Sequence, residues 1–327
     1  MKNLPEDKLT PAAACTSPTL RDIGELGAIE RITRSLPNRQ DVVVGAGDDC
    51  AIVRTGSSAT EDLVLTSDPV IADVHFTADA APESIGHKAL GRVLSDIAAM
   101  GAAPRWVLVD IVSPGDTPID VIDGIYRGMG RLASEFSVAI VGGDMAEGGS
   151  LEIHVFGVGS VPTGKGLLRS TANAGDLLFV TGNLGGSALG RHLQVEPRID
   201  EGVFLRNWAS AMIDVSDGLA SDLRHLIEMS GVGCDLELEK LPISDAAEDM
   251  SDGRLAVEHA LYDGEDFELL FTIPVERRDE FSAAWKNEFD LLCTQIGTIT
   301  SNKEIIRSFS NGRDATIIEQ RGYRHFV

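Results

Sequence analysis

Residues 85–101, IGHKALGRVLSDIAAMG, constrain the chain most, because their periodicity is that of a mostly buried helix and yet they include a carboxylate. At helical spacing Ala89, Val93 and Met100 share a side with Asp96. Leu90, Leu94 and Ile97 widen the apolar face, and Lys88, Arg92 and Ser95 form a narrow polar strip. Asp96 falls between strip and core. An ionised carboxylate there needs a cation or a set of donors, since burying it alone is strongly unfavourable or shifts its pKa. Two partners would satisfy it. Arg92, four residues earlier, is the simpler one, although base before acid is the weaker order and such pairs contribute only about 0.2–0.5 kcal/mol. The other is a metal ion shared with further acids.

With 327 residues, 43% of them hydrophobic and 24% charged, the chain has material for two cores. A formal charge of -23 argues against nucleic acid and against an anionic membrane as partners, and leaves small molecules and metal ions. Cys15, Cys50, Cys234 and Cys293 form no CxxC pair and have no histidine at ligand spacing, so neither a zinc site nor a disulfide framework is expected. A reducing, cytoplasmic setting fits. No signal-peptide core is evident, and no run approaches the roughly 20 apolar residues that span a bilayer. Residues 1–20 read as a disordered tail.

Leu26, Ile29, Ile32 and Leu36 mark a helical face that Pro37 and Asn38 close. Strand-like runs follow at 41–45, 50–53, 62–68 and 69–76, with GAGDD between the first two. After the central helix, 105–112 reads as a buried-type strand. A helix near 119–136 leads to the apolar run 138–144, which stops at GGD, and 150–161 is another strand. The pattern breaks across 162–175, which divides the chain into domains at 21–161 and 162–327. The second half restarts with a strand at 176–182 and a short helix at 185–193. A short strand, MIDV, precedes a helix with Asp217 as N-cap, a face of Leu219, Leu223, Leu226 and Ile227, and Gly231 at its end. Strands near CDLELEK, FELLFTI and LLCTQIGTI complete a layout that mixes α and β in both halves.

Several aspartates stand at strand ends beside small residues: Asp48, Asp49, Asp68, Asp144, Asp214 and Asp217. Each alone fits a turn or cap. Taken with Asp96, they suit a hard cation such as Mg2+, which takes oxygen ligands and retains water and substrate phosphates, so that scattered carboxylates can meet around a metal–nucleotide. Residues 159–165 imitate P-loop spacing, but Gly166 replaces the Ser/Thr that would bind Mg2+ and Pro162 interrupts it, so a P-loop is excluded. Protein-kinase signatures and GxSxG are absent. Arg169 suits ATP phosphates or a solvent-exposed linker. Ser216 and Asp217 open a helix, where phosphate or simple capping would both be served. His75 reads as a satisfied histidine at a strand end, and Glu265 as a strand flank.

The combination of GDDCA (47–51), LTSD (65–68), DVHF (73–76), KALGRVLSDIAAMGA (88–102), GGD (142–144), MIDVSDGL (212–219), GEDFELLFT (264–272) and the terminal RGYRHF closely resembles the thiamine-monophosphate kinases. These belong to the superfamily of aminoimidazole ribonucleotide synthetase. The resemblance implies an α/β (α+β) fold of two domains, with a mixed sheet or half-barrel in the N-terminal domain that pairs in a homodimer, and a C-terminal α/β sandwich. It also implies ATP-dependent phosphorylation of thiamine monophosphate to the diphosphate. Carried over by motif, Asp49, Thr66, Ser67, Asp68, Asp96, Asp144, Asp214 and Asp217 would hold Mg2+, with Asp49, Asp96 and Asp214 at the catalytic centre. Arg169, Ser216, the Gly143 backbone and, on the adenine side, Tyr126 would hold ATP. His75, Glu265 and Tyr323 would face the substrate, Tyr323 as a flat platform for a cationic ring.

Two departures from the family's pattern stand out. Val93 occupies a place where the family commonly has Asn, and residues 190–197 form a shorter connection than usual. Two rival readings are another ATP-using member of the same superfamily, with an amide oxygen or selenide as acceptor, and a non-catalytic cation-binding protein. The latter lacks the local loop D-x-[DN]-x-[DN]-G-x5-E that it would need.

Overall fold

The structure is a computed structural model describing residues 19–37, 39–309 and 316–318. Residues up to Pro37 belong to one unit and those from Asn38 to Tyr323 to another. In the first, helix α1 (Leu20–Thr33) breaks helical geometry at Gly24 (φ 66°), and Ile29 and Ile32 of the expected apolar face are largely exposed.

The second unit begins with β1 (Val42–Val44), β2 (Ala51–Val53), β3 (Glu61–Ile71), α2 (Pro82–Ala99), β4 (Ala103–Ser113), α3 (Ile119–Glu135), β5 (Ala139–Glu147) and β6 (Glu152–Pro162). Their strands form a six-stranded sheet in the order β1-β2-β3-β6-β4-β5, antiparallel except at β4–β5. β7 (Leu177–Thr181), α4 (Ile199–Leu205), β8 (Ala211–Asp214), α5 (Leu219–Ser230), β9 (Gly233–Glu237), α6 (Asp245–Asp249), α7 (Ala256–Tyr262), β10 (Leu269–Ile273), α8 (Arg278–Glu288), β11 (Cys293–Thr300), β12 (Ile306–Phe309) and β13 (Thr316–Ile317) follow. Their seven-stranded sheet runs β13-β12-β9-β11-β7-β10-β8, parallel only at β12–β9. No helix among the described residues is long and apolar enough to cross a membrane.

The second sheet is covered on both faces, as the unbroken apolar run of β7 requires. Leu178 and Val180 enter a core with Leu219, Leu223 and Leu226 of α5. Leu177 and Phe179 enter the other, where Phe179 stacks on Phe271 (5.8 Å) and meets Phe281 edge-on (5.3 Å).

Helix α2 is the element both halves share. It lies on β3 and β6, beside α3, and meets α4 and β8 from the second half. Its close fit to α3 depends on absent side chains: a Cβ on Gly86 would lie 1.9 Å from the Ile125 carbonyl oxygen, and one on Gly128 would lie 1.8 Å from that of Glu83. Val93 is fully buried against Gly157 of β6, where a Cβ would come within 2.3 Å of its Cγ1.

The structure corrects several expectations. The surroundings of the α2 polar strip, left open by the helical period, are resolved: Lys88 and Ser95 are buried, with Glu265 and Asp214 of the second half against them. β3 runs through Pro69 as one strand, past the end of its pairing with β2 at Leu65, so the missing N–H falls where β3 has a partner on one side only. The expected strand at 69–76 ends at Ile71, and His75 lies in the turn that follows. In place of a helix at 185–193 there are two short 3-10 turns separated by Gly190 (φ 119°). β4 is buried on one face only, with Trp106 and Leu108 exposed on the other.

Gly86→Ala tests the helix contact. Alanine's higher helix propensity would favour the variant by about 1 kcal/mol, but the clash is with backbone, and overpacking of this kind costs about 1–3 kcal/mol or more. Net destabilisation is expected in urea unfolding, and an unchanged or raised midpoint would refute the close contact.

Candidate active site

Three carboxylates from distant parts of the chain converge at the inner side of α2. Asp49 comes from the GAGDD turn before β2, Asp96 from α2 and Asp214 from the end of β8, and one oxygen of each lies within 4.8 Å of the others. Asp49 and Asp214 are buried and Asp96 is half-buried. Neighbouring side chains fix their rotamers. Thr66 Oγ1 donates to Asp96 Oδ2 (2.6 Å), Ser95 Oγ to Asp214 Oδ2 (2.6 Å), and Arg169 to both oxygens of Asp49 (2.6 and 3.1 Å). Successive helix residues point about 100° apart, so Ser95 reaches β8 while Asp96 reaches β3. On β3 the alternation turns Thr66 and Asp68 towards α2, whereas Ser67 is exposed on the opposite face.

Burial and like-charge repulsion both weigh on this centre. Burial, then the charges of Asp68, Asp214 and Asp49, push the Asp96 carboxyl well above its ordinary range. Burial and Asp49 raise Asp214 to about 7 against the opposing Ser95 hydrogen bond and Arg169. Burial and Asp49 also raise Asp48, whose carboxylate accepts from the Arg169 backbone N–H, to about 6. Arg92 does not answer Asp96's need in the way the sequence allowed, since its hydrogen bonds go to Asp68 (3.2 Å) and Glu265 (3.3 Å). Clustered oxygen donors with raised affinity for protons are what a hard divalent cation displaces protons from, so the donor set fits Mg2+. Arg169 is half-buried and paired, not a solvent-exposed linker residue.

A cationic cluster adjoins the acids. Lys88 Nζ, fully buried, donates to the His75 carbonyl (2.5 Å), contacts Glu265 Oε1 (2.6 Å) and lies 2.8 Å from His192 Nδ1. Burial lowers the Lys88 pKa, and Glu265 opposes that shift. For Glu265 burial acts upward, yet His192, Lys88 and Arg92 hold it down at about 2. Glu265 is also one of the few non-glycine residues at positive φ (66°), held there as its N–H donates to the Ser216 carbonyl (2.7 Å). The His75 ring accepts the Ile71 N–H (3.1 Å). His75 and Glu265 are thus brought together through Lys88. Neither Lys88 nor His192 was given a site role from sequence; the available signal was Lys88 on the narrow polar strip of an otherwise buried helix.

Ser216 and Asp217 are placed differently from expectation. Gly218, not Asp217, is the N-cap of α5, and the backbone N–H groups of Ser216 and Asp217 both donate to Asp222 Oδ2 (3.0 Å each). Those two donors are already used by a residue the sequence reading passed over. Asp217, Asp222 and His225 make a second group whose ligand atoms lie within 4.8 Å of one another.

Tyr126, Gly143 and Asp144 lie elsewhere. They line an open pocket of about 540 Å³ with Ile140, Val141, Gly142 and Met145, beside edge strand β5, and β6 and β4 intervene between β5 and β3. Gly143 is required there because a Cβ would lie 1.8 Å from the Val109 carbonyl oxygen. Tyr323 and the RGYRHF motif lie outside the described residues.

Residues 47–161 match the family model of AIR synthase related protein, N-terminal domain, and residues 173–309 match that of its C-terminal domain. The thiamine-monophosphate kinase of Rhodopirellula baltica is 37% identical over 304 residues, covering 90% of this chain and 93% of that protein. The Escherichia coli protein of the same name is 35% identical over 329 residues, covering 93% and 98%. Among solved structures, AaThiL complexed with AMPPCP and TMP matches with a TM-score of 0.82 and 31% identity, over 95% of this chain and 99% of that one.

The raised carboxylates give a signed pH dependence. A carboxyl whose folded pKa exceeds its unfolded value of about 3.9 stabilises the fold while protonated and loses that contribution as pH rises through the folded pKa. With Asp48 at about 6 and Asp214 at about 7, protein stripped of divalent cations should lose thermal stability between pH 5 and 8. Mg2+ binds the ionised forms, so the rise in Tm on adding it should be larger at about pH 8 than at about pH 5. Thermal unfolding by circular dichroism after chelation measures both; equal Mg2+ shifts at the two pH values would count against the site.

Proposed function

The chain belongs to the thiamine-monophosphate kinase family of AIR synthase related proteins, and on that premise we propose that it passes the γ-phosphoryl group of ATP directly to the phosphate of thiamine monophosphate, giving thiamine diphosphate and ADP. The observation that carries this reading is the meeting of Asp49, Asp96 and Asp214 beside the Lys88–Arg92–Glu265 cluster, an oxygen-only cation site next to a buried ion-pair network. Supporting it, a structural relative at 31% identity is described as complexed with AMPPCP and TMP.

Two phosphate-bearing anions repel, so in-line transfer depends on positioning and on neutralising charge, with no covalent enzyme intermediate. Mg2+, when bound, supplies that neutralisation on the phosphoryl oxygens. Asp49, Asp96 and Asp214 would hold it, with Thr66 orienting Asp96 and Ser95 orienting Asp214. Asp68, Ser67, Asp144 and Asp217 are the further ligands the family motif proposes. Arg169, beside Asp49 and Asp48, is placed to exchange a carboxylate for a phosphate, the geometry that its planar fork suits. Ser216, the Gly143 backbone and Tyr126 complete the proposed ATP contacts, and His75, Glu265 and Tyr323 the substrate side. Residues 21–161 and 162–327 act in this reading as the two halves of the site, with residues 1–20 outside it.

The same reading includes a homodimer. The outer face of the first sheet presents Leu65, Trp106, Leu108, Val141 and Phe156, all more than a third exposed. Leu108 and Phe156 are paired across β4 and β6, so the patch is continuous and too apolar to be left to water.

A coupled assay with MgATP should show turnover of thiamine monophosphate and none of free thiamine or formylglycinamidine ribonucleotide; preference for either alternative would displace the proposal. Asp96→Asn should lower kcat by about a hundredfold or more while the circular dichroism spectrum is kept. Near-normal turnover at saturating Mg2+ would remove Asp96 from the centre. Leu108→Glu should convert a dimer into a monomer in light scattering, and an unchanged mass would place the interface elsewhere.

A further inference from the structure

The connection between β7 and α4 brings an imidazole to the substrate side of the site. It docks on α2 through Gln194 Nε2 to Ser84 Oγ (3.0 Å), His87 Nε2 against the Val195 carbonyl (2.7 Å), and His192 Nδ1 at 2.8 Å from Lys88 Nζ. The same Nδ1 lies 3.2 Å from Glu265 Oε2. Glu265's other oxygen, Oε1, faces Lys88 (2.6 Å) and Arg92 (3.3 Å).

Counting donors assigns the imidazole's role. An ammonium has three N–H groups and no lone pair. Around the fully buried Lys88 Nζ stand three acceptors: the His75 carbonyl, Glu265 Oε1 and His192 Nδ1. That arrangement needs a neutral imidazole with its proton on Nε2. Once protonated, Nδ1 can no longer accept from Lys88. It becomes a donor whose nearest carboxylate oxygen is Glu265 Oε2, and it adds a positive charge beside Lys88 and Arg92.

We propose that His192 is a specificity-determining residue for the thiamine moiety. Neutral, it takes the third Lys88 proton and leaves Glu265 Oε2 to a donor on the incoming substrate; protonated, it occupies that oxygen itself and opposes a cationic ring. The inference rests on the reading of Glu265 as a substrate-side residue. The charged groups around the imidazole are Lys88 and, one turn further along α2, Arg92, which also pairs with Asp68 of β3, and Glu265 from the segment before β10. The adjacent Arg191 is engaged by Asp266, and His87 by the Val195 carbonyl. Lys88 and Arg92 hold Glu265 ionised through neutral pH, and imidazole is the side-chain type whose ordinary pKa falls in that range.

The test compares kcat/KM for thiamine monophosphate in the native enzyme and His192→Gln across pH 5.5 to 8. The substrate's phosphate titrates near about 6, but it does so alike for both proteins, so the native-to-variant ratio isolates His192. The ratio should fall about tenfold from high to low pH, about 1.4 kcal/mol, while the corresponding ratio for MgATP stays flat. A residue that only supports the loop would shift the ratio equally at every pH, and such a flat ratio overturns the proposal. If the variant turns over too slowly to assay, calorimetric binding of thiamine monophosphate at the two pH limits gives the same ratio. Absence of thiamine monophosphate turnover in the native enzyme, or an unchanged KM in Glu265→Gln, would instead defeat the functional reading on which this one rests.

Discussion

Everything in the site depends on a strip of polar atoms buried on one helix. Lys88, Arg92 and Ser95 of α2 each take a partner from another part of the chain: Glu265, Asp68 with Glu265, and Asp214. Charges at such depth persist only when matched, and removing one partner of a buried pair costs about 3–5 kcal/mol. The segments before α5 and before β10 are therefore held to the places where these partners are found. Apolar packing alone would tolerate a shifted contact, whereas an ammonium with three acceptors does not. The fit of the second half onto α2 is an electrostatic register, and Asp96, one residue from Ser95, is carried into the gap by it.

The acidic centre is the opposite case, a place where the fold assembles like charges. Asp49, Asp96 and Asp214 come from a turn, a helix and a strand end, none of which needs an acid for its own stability. Thr66, Ser95 and Arg169 satisfy one or two oxygens each but leave the group short of positive charge, as the upward shifts of Asp96 and Asp214 record. Sites that violate local stability in this way are the ones where function supplies the missing term. In the proposed reaction that term is a divalent cation and the phosphates it accompanies.

How much of this was legible in the sequence varied with the range of the signal. The helical period of 85–101 placed α2 and its core face, and β7 was recognisable as a strand. Periodicity could not say whether the strip at Lys88 and Ser95 met water or a second layer, because either produces the same pattern. The position of Asp217 within one turn of a helix start made it a plausible cap, yet Gly218 takes that place since the chain there needs φ of 104°. Asp222, which binds the two N–H groups, looked like an ordinary first-turn acid. His192 was invisible because its partners lie 104 and 73 residues away along the chain. Their placement at strand ends beside small residues suggested a shared cation for the scattered aspartates, and the family resemblance gave each of them a role.

The remaining mismatch points outward. Residues 105–112 read as a buried-type strand, apolar at 106–109 and 111–112, but β4 is covered on one face only, leaving Trp106 and Leu108 in the open. A sequence that keeps an outward face apolar across β3, β4, β5 and β6 has been written for a surface that does not stay wet, and a second copy of the chain is the partner proposed for it. The pocket of Tyr126, Gly143 and Asp144 runs along β5 and shares Val141 with that face. Gly143 and Asp144, assigned to ATP and Mg2+ by motif, stand on an edge strand two strands away from β3 and its Thr66, and thus lie at the margin of the proposed interface. Their surroundings in a dimer would differ from those in a single chain. Within one chain, the part of the site that is already complete is the part organised by α2.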